Sequence, residues 1–306
     1  MAPGCPPAFV AVLAGPTASG KTRLAVEVAR RLGAEIVSAD SQQLYRGLAV
    51  GTARPTAEET AAVPHHLLDL AEPGEGMDAA RWAALADAAI AGIAARGRLP
   101  LVVGGTGLYV RALLHGVVDA PGRDPALRAR LEAEAARLGR AAVHRRLAEV
   151  DPAAAARIRP NDLVRVVRAL EMAAGGRTQS ELFAAHGFSA RRYAFRLLAL
   201  DVPRPELHRR IEERARAMVE GGLLEEAGAL VRRLGEPLPR LPIGYADAVA
   251  CLRGEIDRAE LVRRVAVAHR RYARRQVVWL RKERDVEWIR PPFDACAVEA
   301  MWRSAP

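Results

Sequence analysis

The sequence is short of lysine, of cysteine pairs and of long apolar runs. Only Lys21 and Lys282 are lysines among 46 basic residues, so arginine carries nearly all of a formal net charge of +10. A GC-rich genome favours arginine codons wherever a cation will do, which accounts for the bias but not for the surplus. Ten excess positive charges on a chain of this size are the electrostatic footprint of a phosphate-rich polymer or an acidic surface, with nucleic acid the first expectation. The three cysteines, Cys5, Cys251 and Cys296, show no CxxC or C-x-H spacing. That argues against a disulfide framework and a structural zinc site, and it suits a reducing cytoplasm. The apolar run from Phe9 to Ala14 is too short to span a membrane and lacks a basic leader. Cytoplasmic localisation without a membrane partner is therefore expected, and no internal repeat or low-complexity linker is evident.

What is present reads as a split α/β chain. Of 306 residues, half are apolar, enough to bury a large core. The run Phe9 to Ala14 predicts a buried parallel strand, followed by a glycine-rich turn and a helix through Thr22, Ala25, Val26, Ala29 and Leu32. A second strand is expected over 35–38, an amphipathic helix over 81–95 and a third strand over 99–103. This alternation predicts a parallel sheet. Between Gly116 and Phe195 the chain turns helical, with fourteen arginines against nine acids and no convincing strand. The sheet is expected to resume at 195–200, and from Arg204 onward the chain reads as helical throughout. The predicted organisation is a first part of the α/β core over 1–116, a helical insertion over 117–194, and core completion with a basic helical region over 195–306. Residues 258–284 read as one helix with ten basic residues and two acids, Glu260 and Glu283. Leu261, Val265, Ala268, Tyr272 and Trp279 would form its apolar stripe. Arg263, Arg270, Arg274 and Arg281 share another face, beside Arg264, Arg271 and Arg275; such a stripe can track a phosphate backbone.

The chemistry concentrates after the predicted strands. Gly15, Pro16, Thr17, Ala18, Ser19, Gly20, Lys21 and Thr22 complete the pattern G-x-x-x-x-G-K-[ST] between a strand and a helix. Backbone N–H groups curl around phosphate oxygens there, Lys21 neutralises a terminal phosphate and the Thr22 hydroxyl can ligate Mg²⁺. The motif reads phosphate geometry and does not say whether a nucleoside triphosphate or another pyrophosphate is bound. Asp40 falls just past the second strand, followed by Ser41, Gln42 and Gln43. An aspartate at that edge can be a magnesium ligand, a general base or a helix N-cap. Gly104, Gly105, Thr106 and Gly107 follow the third strand and would aim their N–H groups and the Thr106 hydroxyl at the same crevice.

Taken together, GPTASGKT, DSQQLYRGLAVGTARP over 40–55, PHHLLD over 64–69 and VVGGTGLYVRALL from Val102 resemble the tRNA dimethylallyltransferase family. Matches continue along nearly the whole chain, in DPALR from Asp124, PNDLVRVVRALE from Pro160, RIEER from Arg210, GGL from Gly221 and RQVVWLR from Arg275. The resemblance implies a P-loop-type parallel sheet and a reaction in which N6 of the adenine 3′ to the anticodon attacks dimethylallyl pyrophosphate, with Mg²⁺ assisting the leaving group. It implies that Asp40 orients or deprotonates the amine, and that Lys21, Thr22, Thr106 and Arg214 contact the pyrophosphate. It also implies that Asp40, Ser41, Gln42, Gln43 and Thr106 surround the target base. Arg128, Val164, Arg165, Val166, Val167 and Arg168 match positions that meet the tRNA anticodon stem-loop. An adenine so used would be flipped from its stack. A monomer is expected. One departure stands out: Ala246 follows Gly244 and Tyr245 where the family often carries a basic residue, with Arg240 upstream, so no tRNA contact is expected there. His65 and His66 belong to a structural signature and are expected to hold no metal.

Three further readings fit parts of the sequence. A small-molecule P-loop kinase would use the phosphate loop, and a non-enzymatic or ATPase nucleic-acid-binding module would use the basic helix but leaves Asp40, the GGTG segment and Arg214 unexplained. An adenylate isopentenyltransferase shares the chemistry with less need for the basic insertion and the arginine stripe.

Overall fold

The computed structural model describes residues 9–187, 190–239 and 241–304. Cys5 and Arg240 lie outside them. In chain order the elements are β1 (Phe9–Ala14), α1 (Lys21–Leu32), β2 (Ala34–Ser38), α2 (Ala57–Ala62), β3 (His65–His66), α3 (Ala79–Ala95), β4 (Leu99–Gly104) and α4 (Gly107–His115). Five helices follow: α5 (Pro125–Leu138), α6 (Arg140–Val150), α7 (Pro152–Arg157), α8 (Leu163–Ala174) and α9 (Gln179–His186). The chain then makes β5 (Ala194–Leu200), α10 (Arg204–Glu220), α11 (Leu223–Leu234), α12 (Tyr245–Leu252), α13 (Arg258–Leu280), β6 (Val286–Ile289) and α14 (Ala295–Arg303). It divides into two compact units, one of 9–114 with 191–304 and one of 115–190.

The first unit is built on a six-stranded, wholly parallel sheet in the order β3-β2-β4-β1-β5-β6. β1 lies between β4 and β5, with Ala14 level with both Gly104 and Ala199. Its unbroken apolar run FVAVLA follows from that position, because a central parallel strand is covered on both faces. Trp82, Ile90, Ile93 and Leu113 from α3 and α4 cover one face; Leu24 and Val28 from α1 with Val298 and Trp302 from α14 cover the other. A third cluster, including Ile211, Met218, Leu223, Tyr245, Leu261 and Val265, joins α10 to α13.

The consequence for function lies at the carboxyl edge. β2, β4 and β1 are neighbours, so the segments that leave them, Ala39–Asp40, Gly105–Gly107 and Gly15–Gly20, open onto one crevice, where open α/β sheets place their ligands.

Two strands differ from the sequence expectation. β3 has only two residues, too few for any periodic signal, and it makes the expected third strand the fourth. β6 interrupts the helical stretch expected after Arg204; its four residues pair with β5 at the sheet edge and are only partly buried, so they carry no strong apolar run. The expected long helix over 258–284 ends at Leu280, where Arg281 caps it before the turn into β6. Its buried stripe is Leu261, Val265, His269, Ala273, Gln276 and Leu280, rotated from the predicted one so that Ala268, Tyr272 and Trp279 are only partly buried. Cys251 and Cys296 are free thiols, and among the described residues no helix is long and apolar enough to cross a membrane.

The second unit is helical, with no strand among its described residues. Asp124, Asp151, Asp162 and Thr178 each accept a hydrogen bond from the backbone N–H three residues on, which fixes where α5, α7, α8 and α9 begin. Its core holds Leu127, Leu131, Val143, Leu147, Val166 and Val167. Leu147 is fully buried there. We expect Leu147→Ala to lower stability by about 2–5 kcal/mol through lost burial and an unfilled cavity, read as a shifted urea midpoint with an unchanged slope.

Candidate active site at the carboxyl edge of the sheet

The phosphate loop is shaped by glycine and by one non-glycine residue in the left-handed region, Ala18 at φ 63°. Gly20, at φ 91°, is the N-cap of α1 and offers no side-chain cap, so the first turn's N–H groups face the crevice unquenched. An anion belongs at such a helix start. Lys21 Nζ donates to the Pro16 carbonyl at 3.0 Å. Burial lowers its pKa to about 8, with Asp40 opposing and Arg214 reinforcing the shift. Arg214, on α10, donates from Nη1 to the Thr17 hydroxyl at 3.2 Å, and burial lowers its pKa while Asp40 raises it. A cleft lined by Thr17, Lys21, Thr22, Asp40, Gln42, Gln43 and Arg214 thus brings two cations and one carboxylate into electrostatic range.

Asp40 leads into a turn and not a helix, since the next helix begins only at Ala57. Its Oδ1 accepts the Gln42 N–H at 2.9 Å, and the residue lines the cleft. The Ser41 N–H donates to Thr106 Oγ1 at 2.9 Å, and the Thr106 hydroxyl donates to Ser41 Oγ at 3.1 Å. The Thr106 N–H in turn donates to the Ala39 carbonyl at 3.1 Å. A Cβ on Gly104 would lie 2.1 Å from that same carbonyl oxygen, so only glycine lets β4 and β2 close at this point. Gln42 Oε1 accepts the Ile243 N–H at 2.9 Å, and Gln43 Nε2 donates to the Ala53 carbonyl at 3.0 Å.

Several contributors carried no signal of their own in the motifs. Tyr272 and His269, both on α13, line the cleft. Tyr272 lies 3.4 Å from the Thr106 hydroxyl, and burial together with Asp40 pushes its pKa up to about 12, so it stays a neutral phenol. His269 Nδ1 bonds the Val265 carbonyl at 3.0 Å, and burial beside Arg214 pushes its pKa down to about 4. Gln276, two turns further, accepts the Thr17 N–H at 2.8 Å. Gln276 stands inside the RQVVWLR match, but neither it nor His269 falls in the apolar stripe expected for this helix from the sequence. Glu226, on α11, accepts the N–H groups of Ala49, Val50 and Gly51 and the Tyr245 hydroxyl, the last at 2.5 Å. That carboxylate holds the 48–53 segment which, with Thr52 and Ala53, walls the cleft. Glu226→Ala is expected to cost about 3 kcal/mol as three amides and a buried phenol lose a charged acceptor, checked by chemical denaturation.

The residues expected to meet tRNA in the second unit divide sharply. Val166 and Val167 are 0% and 1% exposed and sit in the core of that unit, so their side chains offer no surface; that expectation is corrected, because the hydrophobic positions of α8 face inward. Val164 is 65% exposed, and the Arg165 side chain is 74% exposed with Asp162 at 3.0 Å. Arg128 is held in a two-point ion pair with Glu171, a fully buried carboxylate, and Arg168 joins it while donating to the Pro121 carbonyl at 2.7 Å. These two arginines therefore organise α5 and α8 whatever else they touch. Among the sequence-flagged histidines, His65 bonds the Val63 carbonyl and lines the cleft, and His66 bonds Glu35, which also pairs with Arg96. In the 241–247 segment Tyr245 is fully buried while Ala246 is exposed.

Residues 43–283 match the family described as IPP transferase. The chain belongs to the IPP transferase family. It is 76% identical over 293 residues to the tRNA dimethylallyltransferase of Anaeromyxobacter sp. (strain K), covering 95% of each chain. The crystal structure of the full-length tRNA isopentenylpyrophosphate transferase from Bacillus halodurans superposes with a TM-score of 0.70 at 37% identity, over 97% of this chain and 96% of that one. A eukaryotic dimethylallyltransferase acting on tRNA gives a TM-score of 0.78 at 25% identity, over 97% of this chain and 76% of that one. This IPP transferase is therefore an enzyme, a prenyltransferase, with its phosphate loop set in a parallel α/β sheet.

Proposed function

We propose that this enzyme moves a dimethylallyl group from dimethylallyl pyrophosphate to N6 of the adenosine 3′ to the anticodon, position 37, of tRNA, releasing pyrophosphate. The observation that carries this reading is a lone carboxylate, Asp40, opposite the cations Lys21 and Arg214 in one cleft. A kinase or ATPase can also use a carboxylate beside its phosphates, as a magnesium ligand or a base; the IPP transferase match supports an amine acceptor instead, from which a proton must be removed. As N6 bonds the allylic carbon, the C–O bond breaks, its electron pair passes to the pyrophosphate oxygen and the N6 proton goes to Asp40. Lys21, Arg214 and the free N–H groups at the start of α1 bind the pyrophosphate and stabilise the charge that develops on it. Thr106, tied to Ser41 and close to Tyr272, holds the 40–43 turn in register beside the flipped base.

The donor set suits magnesium. Among the described residues no cluster of three His, Cys, Asp or Glu could hold a metal by itself, and Mg²⁺ commonly keeps waters and completes its shell with phosphate oxygens. Thr22 would hold it, and when bound it neutralises charge on the leaving group. We assign the tRNA backbone to the outward face of α13, where Arg271, Arg274, Arg275 and Arg281 have no acidic partner among the described residues, and to Val164, Arg165, Arg128 and Arg168 of the second unit. The enzyme acts as a cytoplasmic monomer. Replacing Arg271, Arg274 and Arg275 by glutamine should flatten the log–log salt dependence of tRNA binding by about one unit for each phosphate left without its arginine.

The test incubates the enzyme with labelled dimethylallyl pyrophosphate, Mg²⁺ and either unmodified tRNA with an adenine 3′ of its anticodon or AMP. Label in tRNA supports the assignment. Label in AMP instead makes the free nucleotide the acceptor, and consumption of ATP alone replaces prenyl transfer with phosphoryl transfer.

A further inference from the structure

The opening of the phosphate loop is tied to the far end of the chain in a way that prenyl transfer alone does not require. The Thr17 N–H donates to Gln276 Oε1 at 2.8 Å, 259 residues away, and the Thr17 hydroxyl accepts from Arg214. Pro16, the residue before, has no N–H to give. The Ser19 N–H is used by the Pro16 carbonyl at 3.2 Å. By contrast, the N–H groups of Ala18, Gly20, Lys21 and Thr22 have no protein acceptor among the described residues, and α1 has no side-chain cap. Donors are therefore concentrated at the helix end of the loop and withdrawn at its opening.

That distribution bears on how many phosphates the loop can hold. In a loop of this pattern the amides cradle two phosphates while the lysine reaches toward a third. A third phosphate has to be met by donors where it projects, because an unmet oxyanion in a cleft forfeits its hydration. Lys21, bonded to the Pro16 carbonyl, marks the opening as that place; Lys21 and Arg214 bring charge there, but Pro16 and Thr17 offer no free backbone N–H to cradle a further phosphate.

Gln276 is built for the purpose. It is 3% exposed, and its Nε2 is buried without a partner among the described residues. A Cβ on Gly105 would lie 2.0 Å from that Nε2, so the second phosphate-facing loop has to be glycine to accept it. A core glutamine with half its amide unpaired is disfavoured against leucine or methionine unless the other half has a task.

We propose that Gln276 is a positioning residue that sets the phosphate count of this site: by taking the Thr17 N–H it fits the loop to a diphosphate and excludes a triphosphate. The proposal rests on the reading that the loop holds an isoprenoid pyrophosphate. It is tested without isoprenoid or tRNA, by calorimetric titration of the full chain with inorganic pyrophosphate and with inorganic tripolyphosphate, each in Mg²⁺. The wild type should prefer pyrophosphate by about tenfold, the scale of one charge-assisted hydrogen bond denied to the third phosphate. Gln276→Met, of similar length but without an acceptor, should reduce that preference to about twofold or less. Gln276→Glu, which keeps an acceptor for Thr17, should retain it. Should the methionine variant fail to fold, Gln276→Ser, with room for water, carries the same comparison. Equal binding of the two anions by the wild type, or a preference undiminished in the variant that lacks the acceptor, overturns the proposal. A failure of prenyl transfer to tRNA appears only in the labelled assay and so remains separate.

Discussion

Asp40→Ala is expected to lower kcat for prenyl transfer by about 10²–10⁴-fold, the usual worth of a positioned general base, while pyrophosphate binds no more weakly than before. The sign of the second effect is the more telling. Asp40 raises the proton affinity of both Lys21 and Arg214, so it stands within electrostatic reach of the anion site and opposes an incoming pyrophosphate. Removing it takes away repulsion as well as the base. A variant that is slow in single-turnover transfer yet more readily inhibited by pyrophosphate therefore has the signature of a lost proton acceptor and not of a damaged fold. Asp40→Asn separates the two tasks of the side chain. It can still accept the Gln42 N–H through its oxygen, so the turn survives, but it cannot take the N6 proton. Retention of wild-type kcat in the asparagine variant would show that Asp40 serves only to cap the turn.

Arg214→Gln is expected to cost about 3 kcal/mol of transition-state stabilisation, near 10²-fold in kcat, because charge grows on the pyrophosphate as the allylic bond lengthens. The guanidinium also supports Thr17 at 3.2 Å, so the loss should spread to KM for dimethylallyl pyrophosphate. Arg214→Lys should recover little, since a single ammonium cannot face both the Thr17 hydroxyl and a phosphate oxygen as a planar fork does. Steady-state kinetics with dimethylallyl pyrophosphate varied at saturating tRNA distinguish the cases: a lysine variant with wild-type kcat would show that charge alone suffices, and a glutamine variant with wild-type kcat would reduce Arg214 to a bystander.

Much of the core was legible because its signals are local. The FVAVLA run, the glycines of the phosphate loop and the helical periodicity over 21–32 each reflect neighbours in sequence, and they placed β1, the loop and α1 where they stand. Asp40 was legible through its place after a strand. The two short strands were not, since β3 and β6 owe their pairing to an adjacent strand and not to any pattern of their own. Val166 and Val167 were misjudged for a related reason. A motif groups consecutive residues, whereas a helix turns each by about 100°, so two valines that follow the exposed Val164 and Arg165 face the core. Gln276 and Glu226 escaped notice because their partners, Thr17 and the 49–51 backbone, lie 259 and about 175 residues away.

That separation has a consequence for how the enzyme comes into being. The phosphate loop is among the first parts of the chain to be synthesised, yet Arg214, Tyr272 and Gln276, which fix Thr17 and Thr106, are made in the last third. β1, made first, waits for β5 before its second edge is paired. Pairings so remote in sequence close slowly, since the loop entropy is lost before they form. A nascent or prematurely ended chain can therefore carry the whole GPTASGKT motif without a competent site.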